Sequence, residues 1–210
     1  MSRKTTHTHD QCKARNGERI LANRLVSGIF FHDLHDATFL NFKPTSTEEE
    51  EALRSARLFA DTFQGSLRST VTLTGLTESR RTHLGIAVGN AFLEEGLTVM
   101  YRVLSDLVRE IGRAYKPGCG VAPRQVDAIY ASVDLLILDD VQELLREEET
   151  KVFHNLLYSR DMLQRPTMVL SALESDRLRE LVESRQMPRT DDDIFLFTAL
   201  WHGDSSSMVQ

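Results

Sequence analysis

Beyond residue 70 the chain alternates between short apolar runs and segments whose apolar residues recur at helical spacing. The runs at 71–75, 97–104, 134–140, 167–173 and 194–200 predict strands, and the stretches at 82–95, 105–115, 147–163 and 174–182 predict helices. Gly96 closes the first of these helices and Ser105 caps the second. Strands alternating with helices require parallel crossovers. That implies a three-layer α/β domain on a parallel five-stranded sheet, with ligands bound at the carboxyl ends of the strands. Upstream, Leu21 and Leu25 mark one side of a short helix over 18–27, ended by Gly28. Thr47 followed by Glu50 is a capping-box pattern that opens a helix over 47–63, with Leu53, Ala56, Ala60 and Phe63 on its apolar side. The acidic run 48–51 falls in its first turn, where the helix dipole favours negative charge, and needs no functional explanation. Phe30, Phe31, Phe39 and Phe42 punctuate an irregular linker and are expected to pack on the main core.

The chain therefore divides into a basic tail and short helix (1–29), a linker (30–46), an α/β domain (47–204) and a tail (205–210). A chain of 210 residues with 41% hydrophobic and 27% charged positions has the composition of a globular domain. Ile194 to Trp201, its longest strongly apolar stretch, is far short of the ~20 residues a membrane-spanning helix needs, and residues 1–10 lack a signal-peptide core. A cytoplasmic protein without membrane contact is expected. Two cysteines, Cys12 and Cys119, exclude a disulfide framework, and His7, His9 and Cys12 lack the further ligands of a zinc site. A net charge of −6 gives no general attraction to nucleic acid. Charge is segregated, however. Arg3, Lys4, Lys13, Arg15, Arg19 and Arg24 against Asp10 and Glu18 give residues 1–29 a net +4, leaving −10 for the rest.

The first strand runs through Gly75-Leu76-Thr77-Glu78-Ser79-Arg80-Arg81-Thr82 into a helix, the place of a phosphate-binding GxxxxGK[ST] loop. Gly75 and Thr82 match that pattern, while Arg81 replaces its lysine and Arg80 its second glycine. A carboxylate at Glu78 held ~4 Å from a phosphate costs about 1 kcal/mol in water and more at lower dielectric. Leu135-Leu136-Ile137-Leu138-Asp139-Asp140 follows ~60 residues later, in the order of a Walker B strand after Walker A. In that arrangement Thr82 and Asp139 hold Mg²⁺ and Asp140 orients the attacking water.

Four stretches now combine: Phe39-Leu40-Asn41-Phe42, Gly75 through His83-Leu84, Val133 through Asp140, and Arg165-Pro166-Thr167. Together they resemble the bacterial DnaC-type replicative helicase loaders, AAA+ ATPases related to the helper ATPase of IS21-type transposons. The resemblance implies a P-loop NTPase fold binding ATP and Mg²⁺ through Gly75, Ser79, Arg81, Thr82 and Asp139. It further implies an arginine finger at Arg185 with a nearby sensor arginine at Arg189. Three partners follow from it: the hexameric replicative helicase or its loader, single-stranded DNA, and further copies of the chain. DNA would meet the insertion between strands two and three, where Arg109, Arg113, Lys116 and Arg124 accompany Tyr115 and Tyr130. Charges beside aromatic faces hold single strands, although both tyrosines also suit the core of amphipathic helices. The helicase would meet residues 13–27, where Arg19, Leu21, Arg24 and Leu25 form a basic, apolar surface. The chain departs from the family at Glu78, Arg80 and Arg81, at Ala172 in place of the polar sensor after strand four, with Ser171 just before it, and in a shortened N-terminal region. Weak or lost ATP turnover is the leading expectation. An active helicase-loading ATPase and an IS21-type transposition helper are the alternatives.

Overall fold

The computed structural model describes residues 18–63, 70–114, 123–142, 147–183 and 197–199. In chain order these form helix α1 (18–26), α2 (Thr47–Thr62), β1 (Thr70–Leu73), α3 (Glu78–Glu94), β2 (Val99–Val103), α4 (Leu104–Ala114) and α5 (Pro123–Ser132). They continue with β3 (Leu135–Val141), α6 (Glu147–Met162), β4 (Thr167–Ser171), α7 (Ser175–Glu183) and β5 (Phe197–Ala199). The strands lie in the order β2-β3-β4-β1-β5, all pairs parallel, with the short β5 beside β1. No helix among the described residues is long and apolar enough to cross a membrane.

The sheet is covered on both faces, and the two-residue period of a strand distributes its side chains between them. In β3, Leu135 and Ile137 join one apolar cluster with residues of α2 and α3, whereas Leu136 and Leu138 join another with residues of α4, α6 and α7. The same alternation puts Asp139 on the α3 side. Glycines at 85 and 89 let α3 lie close to the sheet. A Cβ at Gly85 would stand 2.6 Å from Leu170, and one at Gly89 the same distance from Ile29.

Segment 29–46 is laid across α3. Ile29, Ala37 and Phe42 are buried in the α3-side core, and Asn90 donates to the carbonyls of His35 (3.1 Å) and Ala37 (2.8 Å). Phe42 and the half-buried Phe39 pack as expected, but Phe30 and Phe31 are 46% and 78% exposed, stacked edge to face on each other. The α2 cap lies one residue earlier than the sequence pattern suggests. Ser46 accepts from the Glu49 amide, and the Glu49 carboxylate accepts from the Thr45 amide, so Glu49 rather than Glu50 closes the motif. Helix α4 begins at Leu104, directly after β2, so Ser105 sits inside it rather than capping it.

Glu49 also forms an ion pair with Arg80 of α3. The acidic run therefore does more than complement the α2 dipole. Arg80 further donates to the Lys43 carbonyl and lies 4.2 Å from the centre of the Phe42 ring, joining the starts of α2 and α3. The guanidinium holds the Glu49 carboxyl down at about 2, against an ordinary 4.5. A depressed carboxylate pKa contributes stability that is complete above the unfolded value and lost as pH falls towards the folded one. Glu49→Gln should cost about 1–2 kcal/mol at pH 7 after solvent screening. Thermal melts should show the gap from the unsubstituted protein narrowing as pH drops from 5 towards 2.

Candidate functional site

At the carboxyl end of the sheet, β1 gives way to α3 through only four residues, 74–77. Gly75 adopts φ +77°, a conformation glycine accepts without a Cβ clash. Thr77 then takes the cap position, and Glu78, Ser79, Arg80 and Arg81 are already helical. Helix α3 thus starts four residues before the expected Thr82. Residues aligned with the phosphate loop form the first turn of the helix instead of a wrap of free amides. Arg80 and Arg81 amides donate to the Thr77 carbonyl, and no side chain caps the end. Arg80 turns away to Glu49 and Phe42, while Glu78 and Ser79 are exposed.

Arg81 turns inward and is 6% exposed. Its Nη1 donates to the Leu76 carbonyl within the connection, while its Nε is buried with no partner. One turn of helix places Thr82 beside Asp139. The Thr82 hydroxyl donates to Asp139 Oδ2 at 2.8 Å, and the Tyr101 hydroxyl donates to the same oxygen at 2.7 Å. Asp139 Oδ1 accepts from the Asp140 amide at 2.7 Å. Burial, then the bond to Asp139, drive the Tyr101 pKa far above its ordinary value, so the phenol is a donor at neutral pH. Asp140 is exposed at φ 55°, within the register shift between Leu138 and Val141, and its carboxylate accepts from the Gln142 amide group. Left-handed backbone is uncommon for a non-glycine residue and turns this side chain out of the strand's alternation.

These residues fit a metal–nucleotide group unevenly. Thr82 and Asp139 have the hydroxyl–carboxylate contact that holds Mg²⁺, and the unpartnered Arg81 Nε beside an uncapped helix end suits an anion. The short connection offers little backbone to wrap a triphosphate. When bound, the ion would neutralise phosphate charge; Thr82 and Asp139 would hold it, Arg81 would face the phosphates and Asp140 would orient water. After β4, the Ser171 hydroxyl is spent on the Val141 carbonyl and exposed Ala172 carries no polar group.

The remaining expected sites are scattered. Arg109 is exposed and ion-paired with Asp106, and Arg113 is exposed in the last turn of α4. Arg124 belongs to α5, whereas Tyr115, Lys116, Arg185, Arg189 and the His7–Cys12 cluster lie outside the described residues. Tyr130 is not available for stacking on bases. It is 1% exposed, donates to Glu110 and accepts from Arg102; burial and the Glu110 bond push its pKa up to about 12. Helix α1 docks through Asn23, which donates to the Gly96 and Leu97 carbonyls, with Arg19 lying against Gly96. Arg24 is half-buried, while Leu21 and Leu25 face outward, 56% and 46% exposed. Sequence patterning missed Tyr101, which reads only as one residue of an apolar strand run. Its distance from Asp139 along the chain left no local signal.

Comparison with known proteins identifies the family and the fold. The family described as "IstB-like ATP binding protein" matches residues 33–178. The replicative helicase loader DnaC of Buchnera aphidicola (subspecies Schizaphis graminum) is 22% identical over 178 residues, covering 84% of this chain and 70% of that protein. Among solved structures, AMPPCP-bound DnaA from Aquifex aeolicus superposes with a TM-score of 0.60 at 26% identity, covering 70% of this chain. The chain spans about half the length of that protein, 48%. A crystal structure of the DnaC helicase loader superposes at 0.59 and 16% identity, covering 72% of this chain and 90% of the loader. With an AAA+ P-loop fold and Thr82 of α3 bonded to Asp139 at the end of β3, the chain belongs to the IstB-like ATP-binding family.

Proposed function

We propose that this chain is a DnaC-like adaptor of DNA replication that contacts the replicative helicase, or its loader, and single-stranded DNA, with weak or lost ATP turnover. The observation that carries the reading is the β1–α3 connection. In a family of ATP-binding proteins it is four residues long, and Arg80, at the position of the second glycine, is committed to Glu49 and Phe42. A protein built this way acts through its surfaces. Exposed Leu21 and Leu25 beside Arg19 and Arg24 suit an acidic groove on the helicase, read as an amphipathic helix. Arg109, Arg113, Lys116 and Arg124 supply the DNA contacts, through phosphates rather than through Tyr130.

Binding to a purified hexameric bacterial replicative helicase tests the first surface. Leu21→Glu with Leu25→Glu should abolish association while leaving the melting temperature unchanged, because both side chains are exposed. Retained association would remove α1 as the grip. Single-stranded DNA affinity should fall steeply with salt, as phosphate contacts release counterions, and Arg113→Glu with Lys116→Glu should weaken it more than tenfold. Binding insensitive to these reversals would relocate the DNA site. Two other readings retain specific support. The Thr82–Asp139 contact and exposed Asp140 favour an active ATPase, and the family description favours a transposition helper of the IS21 type. Measurable ATP turnover would select the former, and preference for duplex DNA and a transposase the latter.

A further inference from the structure

Tyr101 belongs to two parts of the molecule at once. Its hydroxyl binds Asp139, while its backbone and ring are held by the segment that joins α1 to the body. The Tyr101 amide donates to the Ser27 carbonyl at 2.7 Å, along the outer edge of β2. The His32 ring meets the Tyr101 ring edge-on at 5.2 Å. Gly28, at φ +81°, lies so close to the Tyr101 carbonyl that a Cβ there would stand 2.7 Å from it. The same segment exposes Phe30 and Phe31 and follows directly on exposed Leu21, Leu25 and Val26.

At the other end, the lone pairs of Asp139 are nearly exhausted. A carboxylate offers about four acceptor positions, and Oδ2 serves both Thr82 and Tyr101 while Oδ1 serves the Asp140 amide. The Thr82 bond is compatible with a metal on the hydroxyl's free lone pair. The Tyr101 bond draws on the same charge that a metal or its bound water needs.

We propose that Tyr101 is a positioning residue that couples segment 27–32 to the metal-holding carboxylate: while the segment is docked, the phenol occupies Asp139 Oδ2, and when a partner draws the segment away the oxygen is released. The inference rests on the reading of Thr82 and Asp139 as the metal end of a nucleotide site. Partner engagement at α1 and nucleotide occupancy then reinforce each other, because both favour the state in which the Tyr101–Asp139 bond is broken.

Mn²⁺ binding in the presence of ADP, counted by electron paramagnetic resonance on the full chain, tests this without requiring turnover. Tyr101→Phe and His32→Ala should each tighten Mn²⁺–ADP binding at least threefold, and the double variant should bind no tighter than Tyr101→Phe alone, since both act through one hydroxyl. Adding Asp139→Asn should erase the gain. A merely structural role would lower the melting temperature of both variants and leave metal affinity unmoved, which would overturn the coupling. Additive effects would overturn it too. Failure of every protein, the unsubstituted chain included, to bind Mn²⁺–ADP at millimolar concentration would overturn the nucleotide-site reading, and the coupling with it.

Discussion

Arg160→Met should lower the melting temperature by roughly 6–20 °C, the equivalent of about 3–5 kcal/mol for a domain of this size. Arg160 is the largest fully buried side chain among the described residues. Its Nη1 donates to the carbonyls of Tyr130 (2.7 Å), Ala131 (3.3 Å) and Val133 (3.0 Å), Nη2 to the Pro166 carbonyl, and Nε to the Thr167 hydroxyl (2.9 Å). The last carbonyls of a helix have no partner within it, so one guanidinium from α6 caps α5 and ties it to the start of β4. Burial pulls the Arg160 pKa down to about 9, which still leaves the group charged at neutral pH. Methionine matches much of the volume but leaves several buried acceptors bare, each worth about 1–3 kcal/mol before relaxation. Lysine, with three donors at a point, should recover less than half of the loss. Thermal unfolding of the three proteins checks both statements. Near-equal melting temperatures would show that water replaces the guanidinium.

Rebuilding the phosphate loop should have the second large effect. Glu78→Gly with Arg81→Lys should tighten Mg²⁺-dependent nucleotide binding at least tenfold, about 1.4 kcal/mol. Glycine at 78 makes it easier to unwind the first turn of α3 into a wrap, and it removes a carboxylate from beside the phosphates. Adding Arg80→Gly should tighten binding further, at a structural cost. It deletes the Glu49 ion pair, the bond to the Lys43 carbonyl and the contact with the Phe42 ring, together about 2–3 kcal/mol. Affinity and melting temperature should therefore move in opposite directions between the double and triple variants. Equal melting temperatures would mean that Arg80 does not join α2 to α3.

Much of this architecture was legible because strands buried on both faces read as apolar runs. Leu135–Leu138 and the run from Thr167 to Leu170 needed no tertiary information. Helix α3 begins four residues before the sequence pattern predicts, for an identifiable reason. The motif Gly75–Thr82 suggested a loop, whereas Thr77 followed by Glu78 is also a plain helix start, and with neither glycine nor lysine at positions 80 and 81 the helical preference prevails. Phe30 and Phe31 read as core residues because aromatic side chains usually bury, but a segment that crosses the sheet edge has one face to bury, and Ile29 takes it. Within the site, Thr82 and Asp139 were recoverable from spacing. Tyr101 and the Glu49–Arg80 pair were not, since each joins residues 31–38 positions apart through tertiary contact alone. Arg160 carried no sequence signal at all: an arginine on a helix is normally solvated.

The most direct test of the account is a titration of the unsubstituted protein with a fluorescent ATP analogue, with Mg²⁺ and again with chelator. A four-residue connection with Arg80 turned away predicts a dissociation constant weaker than about 1 μM, above roughly −8 kcal/mol, with only a modest dependence on Mg²⁺. Tight binding that collapses on removal of Mg²⁺ would contradict it and show an intact Mg²⁺–nucleotide site.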